Sequence, residues 1–179
     1  MHFIIRQEQE SDYELTEKVV ETAFASAIQS DRNEHKLVSR IRQIDSFIPE
    51  LSLVAVDEEN NKILGHILLS KVFISDANNQ KTASLALAPV SVLPEYQNKG
   101  IGKSLIRKAL EVAKKLEFQS VLVLGHPEYY PKFGFKKSSL WQIKAPFEVP
   151  EEALMAIELL EGSLDHAAGI IEYPSVFFE

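Results

Sequence analysis

A chain of 179 residues, 45% hydrophobic and 25% charged, is long enough for one globular fold with a real core and belongs to the soluble class. It contains no cysteine, which excludes a disulfide framework, a thiolate metal site and a cysteine nucleophile together, and fits the cytoplasm. The net charge of −7 argues against a general nucleic-acid surface and against an anionic membrane surface, and no apolar run approaches the ~18 residues of a spanning helix.

The N-terminus, Met1 to Glu8, lacks the basic-then-apolar order of a signal peptide. Phe3-Ile4-Ile5 reads as a short strand. Ser11 and Glu14 form a capping-box pattern, and Leu15, Val19, Ala23 and Phe24 follow at helical spacing, so a helix is predicted to about Phe24. A polar stretch over 25–30 leads to a second cap signal at Asp31 to Glu34. Leu37, Val38, Ile41 and Ile44 give that helix its apolar face. Leu51–Val56 and Lys62–Ile74 read as a hairpin around the turn Asp57–Asn61, with Gly65 a candidate bulge. After a turn at Asp76–Gln80, a strand Ala83–Leu93 runs into Pro94-Glu95-Tyr96-Gln97-Asn98-Lys99-Gly100-Ile101-Gly102-Lys103.

That stretch organises the chain. A strand feeding a glycine loop at a helix N-terminus is a device for holding an anion. The loop amides point outward, the helix dipole adds partial positive charge, and glycine leaves no Cβ in the way. The helix after it is expected to bury Ile101, Leu105, Ala109, Val112, Ala113 and Leu116. Val121–Leu124 reads as a strand buried on both faces, parallel to the loop-bearing one. Gly134-Phe135 starts another strand. Residues 151–160 fit a helix or a strand equally, and Gly169–Tyr173 reads as a strand. Lys136-Lys137 reads as a solvated strand edge. The whole, 1–179, is expected to be one α+β domain with a mixed sheet.

Counting residues tests which phosphate ligand the loop holds. A P-loop would require glycine where Gln97 stands, and a dinucleotide fingerprint would require glycine where Leu105 stands. A nucleotide-binding kinase is therefore a distant alternative. The pattern that fits is Gln-x-x-Gly-x-Gly at Gln97, Gly100 and Gly102, preceded by Val92-x-Pro94-Glu95. This resembles the pyrophosphate loop of the GCN5-related N-acetyltransferase (GNAT) family. A second signature of that family, a tyrosine four residues before a Gly-Phe pair, stands at Tyr130 and Gly134-Phe135. The element order agrees, and Gly125 to Tyr130 looks closest to the bacterial YhbS-like subgroup.

The resemblance covers about residues 1–140. It implies a mixed, mostly antiparallel central sheet flanked by helices, with a splayed parallel strand pair at the cofactor cleft. It also favours strand in the C-terminal extension, about 141–179. It implies acetyl-CoA as co-substrate, with the amides of Gln97, Asn98, Lys99, Gly100, Ile101, Gly102 and Lys103 on the pyrophosphate and Val90 and Val92 along the pantetheine arm. The Val92 amide matches the family's donor to the thioester carbonyl, and Tyr130 its general acid.

The expected function is transfer of an acetyl group to a primary amine of a small molecule or peptide by direct attack on the thioester. The alternative is a non-catalytic acyl-CoA-binding sensor. That alternative arises because the strand carries Leu85, Leu87, Pro89 and Ser91 where many relatives carry a glutamate. Glu34, His126, Glu128 or a water chain are the substitutes for a base. Outside the family reading, Tyr130 is a core tyrosine beside Pro131 and Phe133, Glu34 a helix-start carboxylate and His126 a loop residue. Trp141 reads as packing or a pocket wall. His35, His66 and His166 are scattered without carboxylates at ligand spacing, so no metal is expected. The negative charge mildly favours cationic amines by steering. C-terminal strands that complete a sheet across a dimer in this family leave a homodimer open.

Overall fold

Two long strands carry the rest of the chain. They belong to a computed structural model that describes residues 1–27 and 30–179, so Ile28 and Gln29 of the predicted connection lie outside the described residues. The elements follow in the order β1 (Phe3–Gln7), α1 (Tyr13–Phe24), α2 (Glu34–Ile41), β2 (Ser52–Asp57), β3 (Ile63–Ser75), β4 (Lys81–Val92), α3 (Ile101–Lys115), β5 (Ser120–Leu124), β6 (Lys136–Lys137), β7 (Ile143–Lys144), β8 (Leu154–Glu158) and β9 (Gly169–Glu172). The strands form one sheet in the order β1-β2-β3-β4-β5-β8-β6, with β9 on β3 and β7 on β9. Only β4–β5 and the short β7–β9 pair are parallel among the described residues. The mixed, mostly antiparallel sheet flanked by helices is thus the architecture expected.

The hairpin β2–β3 forms as read, with its irregularity beside Gly65: Ala55 faces Gly65 while Val56 faces Ile63. Gly65 is required for a further reason. A Cβ there would lie 2.7 Å from the Ser91 carbonyl of β4, too close for any side chain. The C-terminal ambiguity resolves as strand. Leu154–Glu158 pairs along all of β5, and β9 pairs with the far half of β3 beyond the reach of β2. The edge position of β6, with both lysines exposed, is also as expected.

Side chains alternate across the sheet and give it two buried faces. Leu85 and Leu87 of β4 and Val121 and Val123 of β5 pack under Leu105 and Ala109 of α3. Two details of α3 differ from expectation. Ile106 is buried, whereas Leu116 beyond the helix end is exposed. On the other face, Val20, Val38 and Ile41 cover Leu68, and Val19 covers Val54 and Val56. Ala86 and Leu122 face a third cluster built by the C-terminal strands, against which Trp141 packs.

The helix start also differs. The Ser11/Glu14 box does not form. A 3₁₀ turn at Glu10–Asp12 precedes α1, and the Asp12 carboxylate accepts the Gln9 amide at 2.8 Å. Arg6 grips the same carboxylate at 2.7 and 3.0 Å, which fixes the box two residues early, at Gln9 and Asp12, and holds the Asp12 carboxyl below its usual range.

A buried polar cluster ties α1 and α2 to the sheet. Arg42, just past α2, reaches Glu8 at 2.7 Å and Glu17 at 3.0 Å, and its guanidinium lies 3.9 Å from the Tyr13 ring centroid. The Ser52 hydroxyl donates to Glu8 at 2.7 Å, so it accepts from His66 Nε2 at 3.0 Å. This assigns the Nε2–H tautomer and leaves Nδ1 without a partner among the described residues. His66 is therefore not a scattered surface histidine. Burial pushes its pKa down to about 4, against the pull of Glu8 4.0 Å away and with a contribution from Arg42, so the ring is neutral at pH 7 and the Glu8 contact is not an ion pair.

The sign of the pH effect follows. The unfolded ring takes up a proton near 6.5, and the folded ring does so only near 4, so stability is lost as pH falls through that window. The loss by pH 4.5 should be roughly 2 to 3 kcal/mol. Urea unfolding at pH 7 and pH 4.5 should show this loss in the parent and a smaller one in His66→Gln; equal losses would remove His66 from the account.

Candidate active site

The site begins where β4 and β5 part. They pair in parallel only at Leu85–Val121 and Ala86–Leu122. Directly afterwards β4 bulges: Leu69 faces Leu87 and Ile67 faces Val90, so two steps on β3 span three on β4, with the cis Ala88–Pro89 peptide in the extra step. Pro89 has no N–H, and the bulge is where the ladder requires none. One extra residue also resets the side-chain phase. Val90 and Val92 turn onto the α3 face, and Ser91 turns under α1.

Backbone direction alternates too. Leu93 donates its amide to the Leu64 carbonyl of β3 at 2.9 Å. One residue earlier, the Val92 amide and carbonyl point the other way, to the edge that β5 has left. The Val92 carbonyl there accepts Nε2 of Gln97 at 3.1 Å. The residue that defines the loop motif thus pins the loop to the strand with its side chain. The Val90 and Val92 amides remain as donors along an open edge.

The loop itself is built from left-handed residues. Asn98 has φ +62° and Gly100 φ +84° at the N-cap of α3, which reverses the chain so that the helix starts against the strand. Ser104 makes the first helical bond, to the Gly100 carbonyl at 3.0 Å, so the amides of Ile101, Gly102 and Lys103 have no intrahelical partner. The two glycines are needed for different reasons. A Cβ on Gly100 would meet nothing, and only its φ demands glycine. A Cβ on Gly102 would sit at ordinary contact, 3.6 Å from Tyr129 Oη and 3.7 Å from Val92 Cγ2, in a helical residue. The protein itself could hold alanine there; the free space is a cradle that a ligand can fill. Lys99 and Lys103 are exposed and form no ion pair among the described residues, so their charge is available to an anion.

The tyrosine pair divides in a way the motif does not reveal. Tyr130 is buried, stacked edge-on against Phe135, and its ring lies over Gly125, where a Cβ would overlap it. Burial pushes its phenol up to about 12, with the neighbouring Tyr129 adding to the shift. Tyr129 is half-buried, stacks on Phe133 at 5.3 Å, and carries the hydroxyl that a Cβ on Gly102 would meet. Its phenol is also raised by burial. Both hold their protons at neutral pH. Sequence reasoning missed Gly125, whose only local signal is a glycine closing a buried strand.

The candidate bases lie on two parts of the chain, His126 and Glu128 just beyond β5 and Glu34 at the start of α2. His126 and Glu128 are exposed, and Glu34 is hydrogen-bonded by Ser30 Oγ at 2.6 Å at the start of α2. β4 and β5 contain no carboxylate. A cavity of about 210 Å³ opens on the parted strands, between Ala86–Ala88 of β4, Leu122 and Leu124 of β5, and Phe147, Tyr173, Phe177 and Phe178 from the C-terminal region. A larger depression of about 1150 Å³ lies between Ser138 and Glu151 and touches neither β4 nor the glycine loop, so size alone does not mark the site. Among the described residues no cluster of three or more His, Cys, Asp or Glu could hold a metal, and no helix is long and apolar enough to cross a membrane.

The sequence model of the Acetyltransferase (GNAT) family matches residues 13–135, more than half of the chain. The chain belongs to the GNAT acetyltransferase family. It is 34% identical over 152 residues to the uncharacterized N-acetyltransferase YjhQ of Escherichia coli, an alignment that covers 84% of this chain and 80% of that protein. A GNAT family acetyltransferase from Brucella melitensis, solved in complex with acetyl-CoA, superposes with a TM-score of 0.80 at 31% identity over 98% of both chains. The GNAT protein YhbS of Escherichia coli, solved with CoA, superposes with a TM-score of 0.84 at 23% identity over 100% of this chain and 93% of that one, which speaks for the fold. The loop and the parted strands of this GNAT chain fall inside the matched range.

The two loop glycines give a clean test of the cradle. Gly102→Ala should fold at least as well as the parent, because alanine suits a helix by about 1 kcal/mol more than glycine. It should nonetheless bind acetyl-CoA at least about tenfold more weakly by calorimetry, a loss of about 1.4 kcal/mol. Unchanged affinity in a folded Gly102→Ala variant would mean that the loop does not hold the pyrophosphate.

Proposed function

We propose that this protein, read as one catalytic unit over 1–179, transfers the acetyl group of acetyl-CoA to a primary amine by direct attack on the thioester. The observation that carries the reading is the meeting of an open strand edge at Val90 and Val92 with unpaired helix-start amides at Ile101 to Lys103, separated by a pinned turn. A pantetheine arm carries amides and can pair with such an edge like an added strand. A pyrophosphate suits the amides of the loop from Gln97 to Lys103, with Lys99 and Lys103 adding charge. The complexes of the Brucella protein with acetyl-CoA and of YhbS with CoA support the choice of donor.

Acetyl-CoA supplies an acyl carbon already activated as a thioester. The Val92 N–H, directed to the open edge, is suited to stabilise negative charge on the thioester oxygen. The amine nitrogen forms the new C–N bond with its lone pair, the C–S bond breaks, the nitrogen gives up a proton, and the thiolate gains one. Tyr130 matches the family's acid position. Its raised phenol pKa keeps it protonated across the working range and makes it a weaker acid than in water. A thiolate whose thiol titrates near 8.5 is a weaker base than this phenolate, so the phenol is suited to stabilise the leaving sulfur by a hydrogen bond while the proton that balances it comes from the amine. Tyr129 is a second reading for the acid, because its hydroxyl is the one that faces Gly102 of the loop. The absence of a strand carboxylate keeps an acyl-CoA sensor as the rival function.

Thiol release with a panel of amines should separate these readings. Tyr130→Phe should lower kcat by about 10² or more with acetyl-CoA affinity unchanged. A larger fall in Tyr129→Phe would move the acid to Tyr129, and tight CoA binding without release on any amine would favour the sensor. The parent rate should rise with pH as the amine deprotonates. It should show no alkaline loss below pH 10, because the Tyr130 phenol titrates only near about 12.

A further inference from the structure

The cavity on the parted strands carries information about the acceptor. Resting on the transferase reading above, we propose that the acceptor is a small primary amine on an apolar carbon skeleton, an alkyl- or arylalkylamine, seated in this cavity.

The position comes first. Leu87 and Ala88 of β4 and Leu124 of β5 are the residues just beyond the last parallel pair, so the cavity lies where the strands part, on the stretch of β4 that leads to the Val90 and Val92 amides. Ala86 and Leu122 belong to the face away from α3, opposite the side on which Val92 and the glycine loop pack. An amine entering here approaches the parted strands from the face opposite α3.

The lining decides the chemistry. Leucine, alanine and four aromatic rings surround the cavity, and no Asp, Glu, Lys or Arg is among them. The Tyr173 phenol is the one side-chain polar group, and burial pushes it up to about 12, so it is neutral. The rings form a connected roof: Phe147 stacks on Tyr173 at 6.0 Å, and Phe178 meets both edge-on at 6.2 and 6.3 Å. The roof is anchored from behind. Val176 and Phe177 pack on the α1–α2 cluster, and Arg40 Nη1 donates to the Glu179 carbonyl at 3.1 Å.

A polyamine or aminoglycoside would bring additional ammonium groups into a space with no carboxylate to meet them, which is unfavourable for each one desolvated. The volume of about 210 Å³ is below the roughly 300–1,000 Å³ of drug-sized sites, so the occupant is small. The same surroundings address the missing base. Desolvation favours the neutral form of an amine, by up to 3–5 units in a fully apolar site. An apolar acceptor would arrive in its nucleophilic form, and its proton would be lost on attack to water at the open side. The net charge of −7 acts on encounter at long range, whereas the lining acts on fit, and fit governs discrimination between acceptors.

The test uses the full chain with acetyl-CoA. Thiol release is followed with phenethylamine, spermidine and kanamycin. Phenethylamine should exceed the two polycations at least about tenfold in kcat/KM. Phe178→Ala alters an exposed part of the roof (60% exposed), so folding should survive, and it should lower kcat/KM for phenethylamine at least about tenfold while acetyl-CoA affinity stays the same. Equal or better turnover of spermidine or kanamycin overturns the proposal while leaving acetyl transfer intact, as does an unaffected Phe178→Ala. If acetyl-CoA binds and no amine releases thiol, transfer itself is wrong. The pocket is then judged by calorimetry of phenethylamine into CoA-loaded protein: a binding heat lost in Phe178→Ala supports an apolar-amine site, and no heat overturns it.

Discussion

The structure depends on β4 and β5 parting after two paired residues. Up to Leu85–Val121 and Ala86–Leu122 the two strands share a ladder. Beyond it the bulge at Ala88–Pro89 turns β4 away, and its edge donors lose their neighbour. Unpaired backbone groups inside a sheet are unfavourable unless water or a ligand meets them. Each other feature of the site can be read as maintaining that opening. Gln97 ties the following turn back to Val92, so the loop cannot drift. β8 pairs along the whole of β5 and holds it from the far side. Gly125 and Tyr130 pack into each other at the end of β5 and fix where the chain goes next.

The helices above the opening are held by charge rather than by apolar packing alone. Glu8, Arg42 and Glu17 link β1, α2 and α1, and Ser52 passes the contact to His66 on β3. A buried ion pair of this kind is weak evidence for net stability, since desolvation offsets much of the attraction. Removing one partner, however, leaves an uncompensated buried charge at a cost of about 3–5 kcal/mol. The cluster therefore penalises other placements of α1 and α2 more than it stabilises this one. That is a reason for the acceptor face to keep one shape.

The loop was legible in the sequence because its requirements are local. Glycine at a left-handed N-cap and glycine facing a ligand are steric facts about single residues, and Gln97 was singled out by the same counting. The main strands follow from apolar runs bounded by turn residues, and the arrangement of the sheet from the family resemblance. Four features were not legible, each for a tertiary reason. Leu154 to Leu160 fits both periods, and only pairing with β5 makes it a strand. Pro89 marks a place where no amide is required, but the bulge is a register offset between two strands that only their pairing shows. The aromatic roof joins Phe147 to Tyr173 and Phe178, rings too distant in sequence to suggest a cluster. The setting of His66 is hidden in the same way, because Ser52 at the start of β2 and Glu8 just past β1 belong to other parts of the chain.

Donor and acceptor thus rest on different kinds of structure. The donor side is backbone: edge amides, helix-start amides and glycines. The proposed acceptor side is built instead of side chains, Phe147, Tyr173, Phe177 and Phe178, gathered from the C-terminal region. The central claim is that the Val92 amide is an open donor that acetyl-CoA engages. Residue-resolved amide hydrogen exchange, with and without acetyl-CoA, tests it most directly. The account predicts fast exchange at Val92 in the free protein, against slow exchange at Leu93, and strong protection of Val92 and of the loop amides 98–103 on binding. Acetyl-CoA that binds without protecting Val92 would contradict it.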